Sequence, residues 1–283
     1  MTSIQAATHS EQQLDTREGA VHLLRGGTGD PVLYLHGVGA EPGYWNAAHQ
    51  GLSENFDVIA PDHPGFGFSD VMDDLDHIDD LVYHYLDLLD RLDLRENVHL
   101  VGISFGGWLA AELAVHSPDR FASLVLAAPL GIRIPGHLPT DIFLMTPKQR
   151  ARALFHDPAR IPEADPADAV AAFQTYKDLT GLARFGWVPF LSDPKLERRL
   201  YRVKARTLVL AAEHDAVVSK AITGRYAEAV AKAELRVLGD AGHALDAEAP
   251  EAFAAAVTEF LSQGDSRGNS RGNSRGNSSG EEA

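Results

Sequence analysis

The 283 residues are 45% apolar, enough to fill one large core without a covalent staple. Cysteine is absent, which excludes disulfides, thiolate nucleophiles, zinc–thiolate sites and iron–sulfur clusters. Lys and Arg number 25 against 40 Asp and Glu, a formal charge of −15, and no basic patch is visible that would hold a phosphate backbone, so nucleic acid is not an expected partner.

The chain opens on a polar, acidic stretch, Met1 to Gly19, without the apolar segment of a secretory signal or the composition of a transit peptide. Residues 1–13 are expected to be flexible. No run approaches about 18 apolar residues, so neither a transmembrane helix nor a membrane partner is expected, and the cytoplasm is the expected location. Val21 to Leu24, with the segment just before it, reads as an antiparallel sheet edge. Pro31 to His36, Phe56 to Ala60, Val98 to Ile103, Ser123 to Ala127, Thr207 to Ala211 and Leu235 to Leu238 follow as short, nearly continuous apolar runs. Strands covered on both faces read this way. Between them lie segments of helical period, such as Ile78 to Leu92, where Leu81, Val82, Tyr85, Leu88, Leu89 and Leu92 share a side. This alternation predicts an α/β fold with a doubly wound, mostly parallel sheet.

Leu130 to Arg206 breaks the alternation. It is rich in proline, lacks a strand-like run, and has helical character at Ala167 to Leu179. Such a length is not one structureless loop, so residues 131–205 are expected to form a helical cap between core segments 14–130 and 206–263. From Ser266 the unit Ser-Arg-Gly-Asn recurs, and residues 264–283 are expected to be a disordered tail.

Chemistry concentrates at loops that follow strands. Gly102-Ile103-Ser104-Phe105-Gly106 fits G-x-S-x-G at the passage from a strand into a helix, where a sharp turn tolerates only small flanking residues and lifts the serine hydroxyl above the sheet. A serine hydroxyl needs a base. Among 13 histidines, His243 stands directly past the last predicted strand, with His63 and His214 as rivals. Asp215 ends another strand and supplies the carboxylate that orients an imidazole, ahead of Glu213 and Asp240. The order Ser104, Asp215, His243 suits this topology. The N–H groups of Val38, in His36-Gly37-Val38-Gly39, and of Phe105 are the expected oxyanion donors. No metal site and no cofactor are implied, since neither H-E-x-x-H nor cysteine occurs.

Taken together, His36-Gly37, Asp62-His-Pro-Gly-Phe-Gly-Phe-Ser69, the Ser104 turn, Glu213-His-Asp215 and Gly242-His243 resemble the α/β-hydrolase fold superfamily over about Val21 to Leu261. The chain is similar to the lidded bacterial serine hydrolases that include carboxylesterases, meta-cleavage-product C–C hydrolases and cofactor-free haloperoxidases. The resemblance implies an eight-stranded sheet, Ser104 as nucleophile, Asp215 as acid, His243 as base, and a cap that selects the substrate. Two positions depart from it: Ala244 stands where C–C hydrolases commonly carry Trp, and Ala212 replaces the usual Gly of the acid loop. Ser104, where dehalogenases and epoxide hydrolases of this fold carry Asp, argues against both. The leading expectation is hydrolysis of a small or medium, largely uncharged carboxylic ester. The alternative is cleavage of a C–C bond in a vinylogous diketone, and a third reading is a binding protein with little turnover. Phe143, Met145, Tyr176 and Trp187, with Phe173, Phe185 and Phe190, are the candidate pocket residues, and Arg184 is a candidate partner for a substrate carboxylate. A small-molecule substrate is the expected partner, with a homodimer left open.

Overall fold

The computed structural model describes residues 9–39, 43–163 and 168–263. The expected tail, 264–283, lies outside them.

The apolar runs pair into one sheet: β1 (His9–Asp15), β2 (Ala20–Gly26), β3 (Pro31–Leu35), β4 (Asp57–Pro61), β5 (Val98–Ile103), β6 (Phe121–Ala127), β7 (Arg206–Ala212) and β8 (Glu234–Leu238). The order is β1-β2-β4-β3-β5-β6-β7-β8, antiparallel from β1 to β4 and parallel from there on. β1 corrects the expectation of a flexible segment over residues 9–13. Its sequence, HSEQQLD, has no apolar alternation because it pairs along one edge only and stays largely solvated, so the backbone ladder to β2 holds it.

Helices cover both faces. α1 (Ala47–Ser53), α8 (Leu245–Glu248) and α9 (Pro250–Ser262) lie on one side; α2 (Ile78–Arg91), α3 (Phe105–His116) and α7 (Lys220–Ala229) lie on the other. β3 shows the division. Val32 and Tyr34 pack with α1 and α9, whereas Leu33 and Leu35 pack with α2 and α3, as a period of two requires. Between β6 and β7 the chain runs through α4 (Pro147–Leu154), α5 (Ala169–Gly186), α6 (Leu196–Arg199) and three short 3₁₀ turns. α4 starts with Pro147 behind a reciprocal Thr146–Gln149 cap. Among the described helices, none is long and apolar enough to cross a membrane.

The strand order places the site. β3 has β4 on one side and β5 on the other, so the connections diverge beside β3 and open a crevice at the carboxyl ends of β3 and β5. His36 to Gly39 and Ser104 lie at those ends.

Candidate active site

Ser104 is the hinge between β5 and α3, with φ 55° and ψ −113°, a left-handed conformation that a non-glycine residue adopts only when its surroundings impose it. The surroundings are backbone. A methyl at position 102 would sit 2.3 Å from the Gly106 carbonyl oxygen, and one at position 106 would sit 2.1 Å from the Leu35 carbonyl oxygen. Glycine at both positions lets α3 start hard against β3 and β5. Ser104 is also fixed through its own peptide groups: its N–H donates to Ala127 O, and its carbonyl accepts from Trp108 and Leu130 N–H.

The side chain faces His243. Ser104 Oγ lies 2.8 Å from His243 Nε2, and His243 Nδ1 lies 3.0 and 3.1 Å from the two oxygens of Asp215. The tautomer that satisfies both contacts donates Nδ1–H to Asp215 and accepts the serine hydroxyl at Nε2. Ser104 and His243 are 6% and 3% exposed. Burial pushes the Asp215 carboxyl up, but the charge and hydrogen bond of His243, with the N–H groups of Val218 and Val217, outweigh it and hold the group below its ordinary value. Asp215 is thus an anion poised to stabilise an imidazolium.

The rival histidines are occupied elsewhere. His63 donates Nε2–H to the His36 carbonyl and accepts from the Tyr85 hydroxyl at Nδ1, and burial drives its pKa well below the usual histidine range. His36 accepts the His63 N–H and donates to Gly37 O, which makes it a loop brace. His214 stacks on His156 with ring centroids 3.7 Å apart. Of the alternative carboxylates, Glu213 accepts from Asp240 N–H, and Asp240 sits in a turn at φ 49°.

The loop after β3 passes beside the nucleophile: a methyl on Gly37 would lie 3.2 Å from Ser104 Cβ. Val38 is next in the chain, buried, and Phe105 opens α3. Both expected donors therefore stand on segments that meet at Ser104.

The cap reaches this centre through α4 and the residues just after it. Leu154 closes over the β3 loop, where a methyl on Gly39 would sit 2.7 Å from its Cδ1, and its carbonyl accepts the N–H of Ala244. Glu248, 2% exposed, accepts the N–H groups of Gly242, His156 and Asp157. Arg150 shares the buried face of α4 with Ala153 and Leu154. It is 9% exposed, burial lowers its pKa, and its guanidinium has no hydrogen-bond or ion-pair partner among the described residues. Sequence reasoning missed Glu248 and Arg150, which look like ordinary members of polar helices.

The candidate pocket residues separate. Phe185 is buried and stacks on Phe105 at 6.2 Å, and Met145 is partly buried against the core. Tyr176 does not line a buried pocket: it is 65% exposed, on the side of α5 opposite Asp178, Gly181, Leu182 and Phe185, and Phe173 shares that outer side. Trp187, 56% exposed, packs edge-on against Phe143 and Phe190 and lines a surface groove of about 590 Å³ whose walls include neither Ser104 nor His243. Arg184 is taken up by Asp73, donating to its carbonyl and facing its carboxylate.

Comparison with known proteins agrees with this architecture. The model of a family described as the alpha/beta hydrolase family matches residues 32–256. A 2-hydroxymuconate semialdehyde hydrolase from Pseudomonas sp. is 29% identical over 268 residues, 87% of this chain and 91% of that protein. Among solved structures, a 2-hydroxy-6-oxo-6-phenylhexa-2,4-dienoate hydrolase from Rhodococcus sp. shares the fold at TM-score 0.74 and 23% identity, covering 90% of this chain and 99% of the other. A naproxen esterase from Bacillus subtilis does so at TM-score 0.73 and 20% identity, covering 89% and 91%.

Proposed function

The chain belongs to the alpha/beta hydrolase family, and within it we propose that this protein is a serine hydrolase of small or medium carboxylic esters, working through an acyl-enzyme. The observation that carries the reading is the continuous relay from Ser104 Oγ through His243 to Asp215, at 2.8 and 3.0 Å. His243 Nε2 takes the hydroxyl proton as Ser104 Oγ attacks the ester carbonyl, and Asp215 stabilises the imidazolium so formed. The N–H groups of Val38 and Phe105 receive the oxyanion of the tetrahedral intermediate. His243 then protonates the departing alcohol. In the second half, water gives a proton to His243 and attacks the acyl carbon, and Ser104 leaves with that proton as the acid is released.

The test is turnover of 4-nitrophenyl esters of increasing acyl length by wild type and Ser104→Ala, both shown folded by circular dichroism. Wild type turns over with a chain-length optimum, and the variant loses roughly 10³-fold or more in kcat. Folded wild type without turnover on any ester overturns the ester reading.

A second reading, hydrolysis of a C–C bond in a carboxylate-bearing dienone, is favoured by Arg150. A cation on the buried face of α4, with no counter-ion among the described residues, suits a substrate anion, since a guanidinium pairs carboxylates in bidentate fashion. Ala244 beside the base weighs the other way. Under this reading Arg150→Met raises KM for a dienone carboxylate about tenfold or more and leaves neutral esters within about threefold. Equal effects on both substrates remove Arg150 from the argument.

A further inference from the structure

Glu248 closes α8, five residues after His243, and both its carboxylate oxygens are spent on backbone N–H groups. One oxygen accepts from Gly242 at 2.6 Å and from His156 at 3.0 Å; the other accepts from Asp157 at 2.6 Å. These donors belong to two segments far apart in sequence, the loop that carries the base and the cap segment just past α4. Further bonds fasten the same two segments. Ala244 N–H donates to Leu154 O at 2.9 Å, and Arg160 Nη1 donates to the Glu248 carbonyl at 2.6 Å. Position 242 has no room for a side chain, since a methyl would meet His156 N at 2.6 Å and Leu154 O at 2.8 Å. His156 also stacks on His214, the neighbour of Asp215, so the cap segment touches the acid loop as well.

We infer that Glu248 is a positioning residue: its carboxylate locks the His243 loop to cap residues 154–157, so the base is aligned on Ser104 only while that part of the cap is seated. Three N–H dipoles neutralise the buried carboxylate and engage both of its oxygens as acceptors, whereas an amide offers one acceptor oxygen. The inference rests on the serine-hydrolase reading of the site and adds to it that cap seating regulates the base.

The test follows labelling of Ser104 by a fluorophosphonate, which needs an aligned base and no particular substrate, together with ester kcat and KM. In Glu248→Gln, one acceptor becomes a donor facing N–H groups. The labelling rate and kcat are expected to fall together by about 30-fold, with KM within about threefold, as small misplacements of a reacting group cost. Arg160→Ala changes a half-exposed side chain, so folding is not at stake, and it loosens the same segment without touching the carboxylate. It is expected to slow labelling about threefold, again without a KM change. Wild-type labelling rates in both variants, or a loss confined to KM, overturn the inference. A wild type that does not label overturns the site reading and this inference with it. A wild type that labels but turns over no ester overturns the ester substrate alone.

Discussion

The sheet with its serine turn and the helical cap hold their parts in different ways. In the sheet, position follows from close backbone contact: Gly102 and Gly106 let segments meet at distances no side chain would permit, and Gly37 passes tightly beside Ser104. The cap adds to the apolar packing of Leu154, Leu182 and Phe185 a set of polar tethers from its side chains to core backbone. Lys177 donates to Gly67 O and Ser69 O, Asp178 accepts from Gly67 N–H, and Arg184 donates to Asp73 O. Steric closure gives one geometry at high cost of change, whereas tethers can be exchanged one at a time. The Ser104 turn is therefore held by the part of the chain least free to change, and the cap above it partly by contacts that can be replaced singly.

The largest expected effect tests the steric half. Gly106→Ala places a methyl 2.1 Å from Leu35 O and 2.5 Å from His36 O, so α3 or β3 must shift. Urea unfolding should show a loss of about 4 kcal/mol or more, or no soluble protein at all. A loss below about 1 kcal/mol would mean that the elbow is adaptable and the contrast with the cap is false.

A smaller effect comes from a charge within the same rigid half. Glu112 lies on the buried length of α3, where Trp108 Nε1 donates to Oε1 at 3.2 Å and Oε2 has no partner among the described residues. Burial, reinforced by Asp193 and opposed by the Trp108 bond, lifts its pKa to about 8. The folded state then holds a proton that the unfolded chain releases near the ordinary value of 4.5, so this contribution to stability is complete below about pH 4.5 and is lost as pH rises through about 8. Its size is on the order of 3–5 kcal/mol. Unfolding free energies of Glu112→Gln should lack that slope, exceeding wild type at pH 9 and matching it near pH 4. A slope that survives the substitution assigns the proton elsewhere.

The same contrast explains what can be read in the sequence. β3, β5, β6 and β7 are legible because strands covered on both faces are apolar at nearly every position. Ser104, Asp215 and His243 are legible because each follows a strand in a short, recognisable loop, and the structure brings them within hydrogen-bond distance. β1 is not, because an edge strand can be polar throughout. α5 runs beyond Leu179 to Gly186, with glycine at position 181 inside it. That glycine lets the ring of Phe66 sit where a methyl would be 2.6 Å away. Tyr176 is misplaced by a sequence reading because helical period alone does not say which face meets the core. Glu248 is invisible for a different reason: its partners are peptide N–H groups, which every residue but proline carries, brought together only by the cap.

The smallest effect belongs to the tethers. Asp178 Oδ1 accepts Gly67 N–H at 3.2 Å, and burial, opposed by that bond and reinforced by Asp62, raises its carboxyl to about 7 while Lys177 pulls it down. Here too the folded state favours the protonated form, so cap seating weakens as pH rises from about 4 through about 7. The effect on global unfolding is expected to be smaller than at Glu112, on the premise that the cap releases locally before the sheet opens. Asp178→Asn keeps a group that can accept the Gly67 N–H and removes the titration. Hydrogen exchange over α5 and residues 66–69 should become independent of this titration once intrinsic exchange is corrected for. Stability at pH 8 should rise by about 1 kcal/mol, the order expected when a buried charge loses its desolvation cost. If exchange over α5 tracks global unfolding in both proteins, the cap does not open separately, and the division into a steric core and a tethered cap fails at this helix.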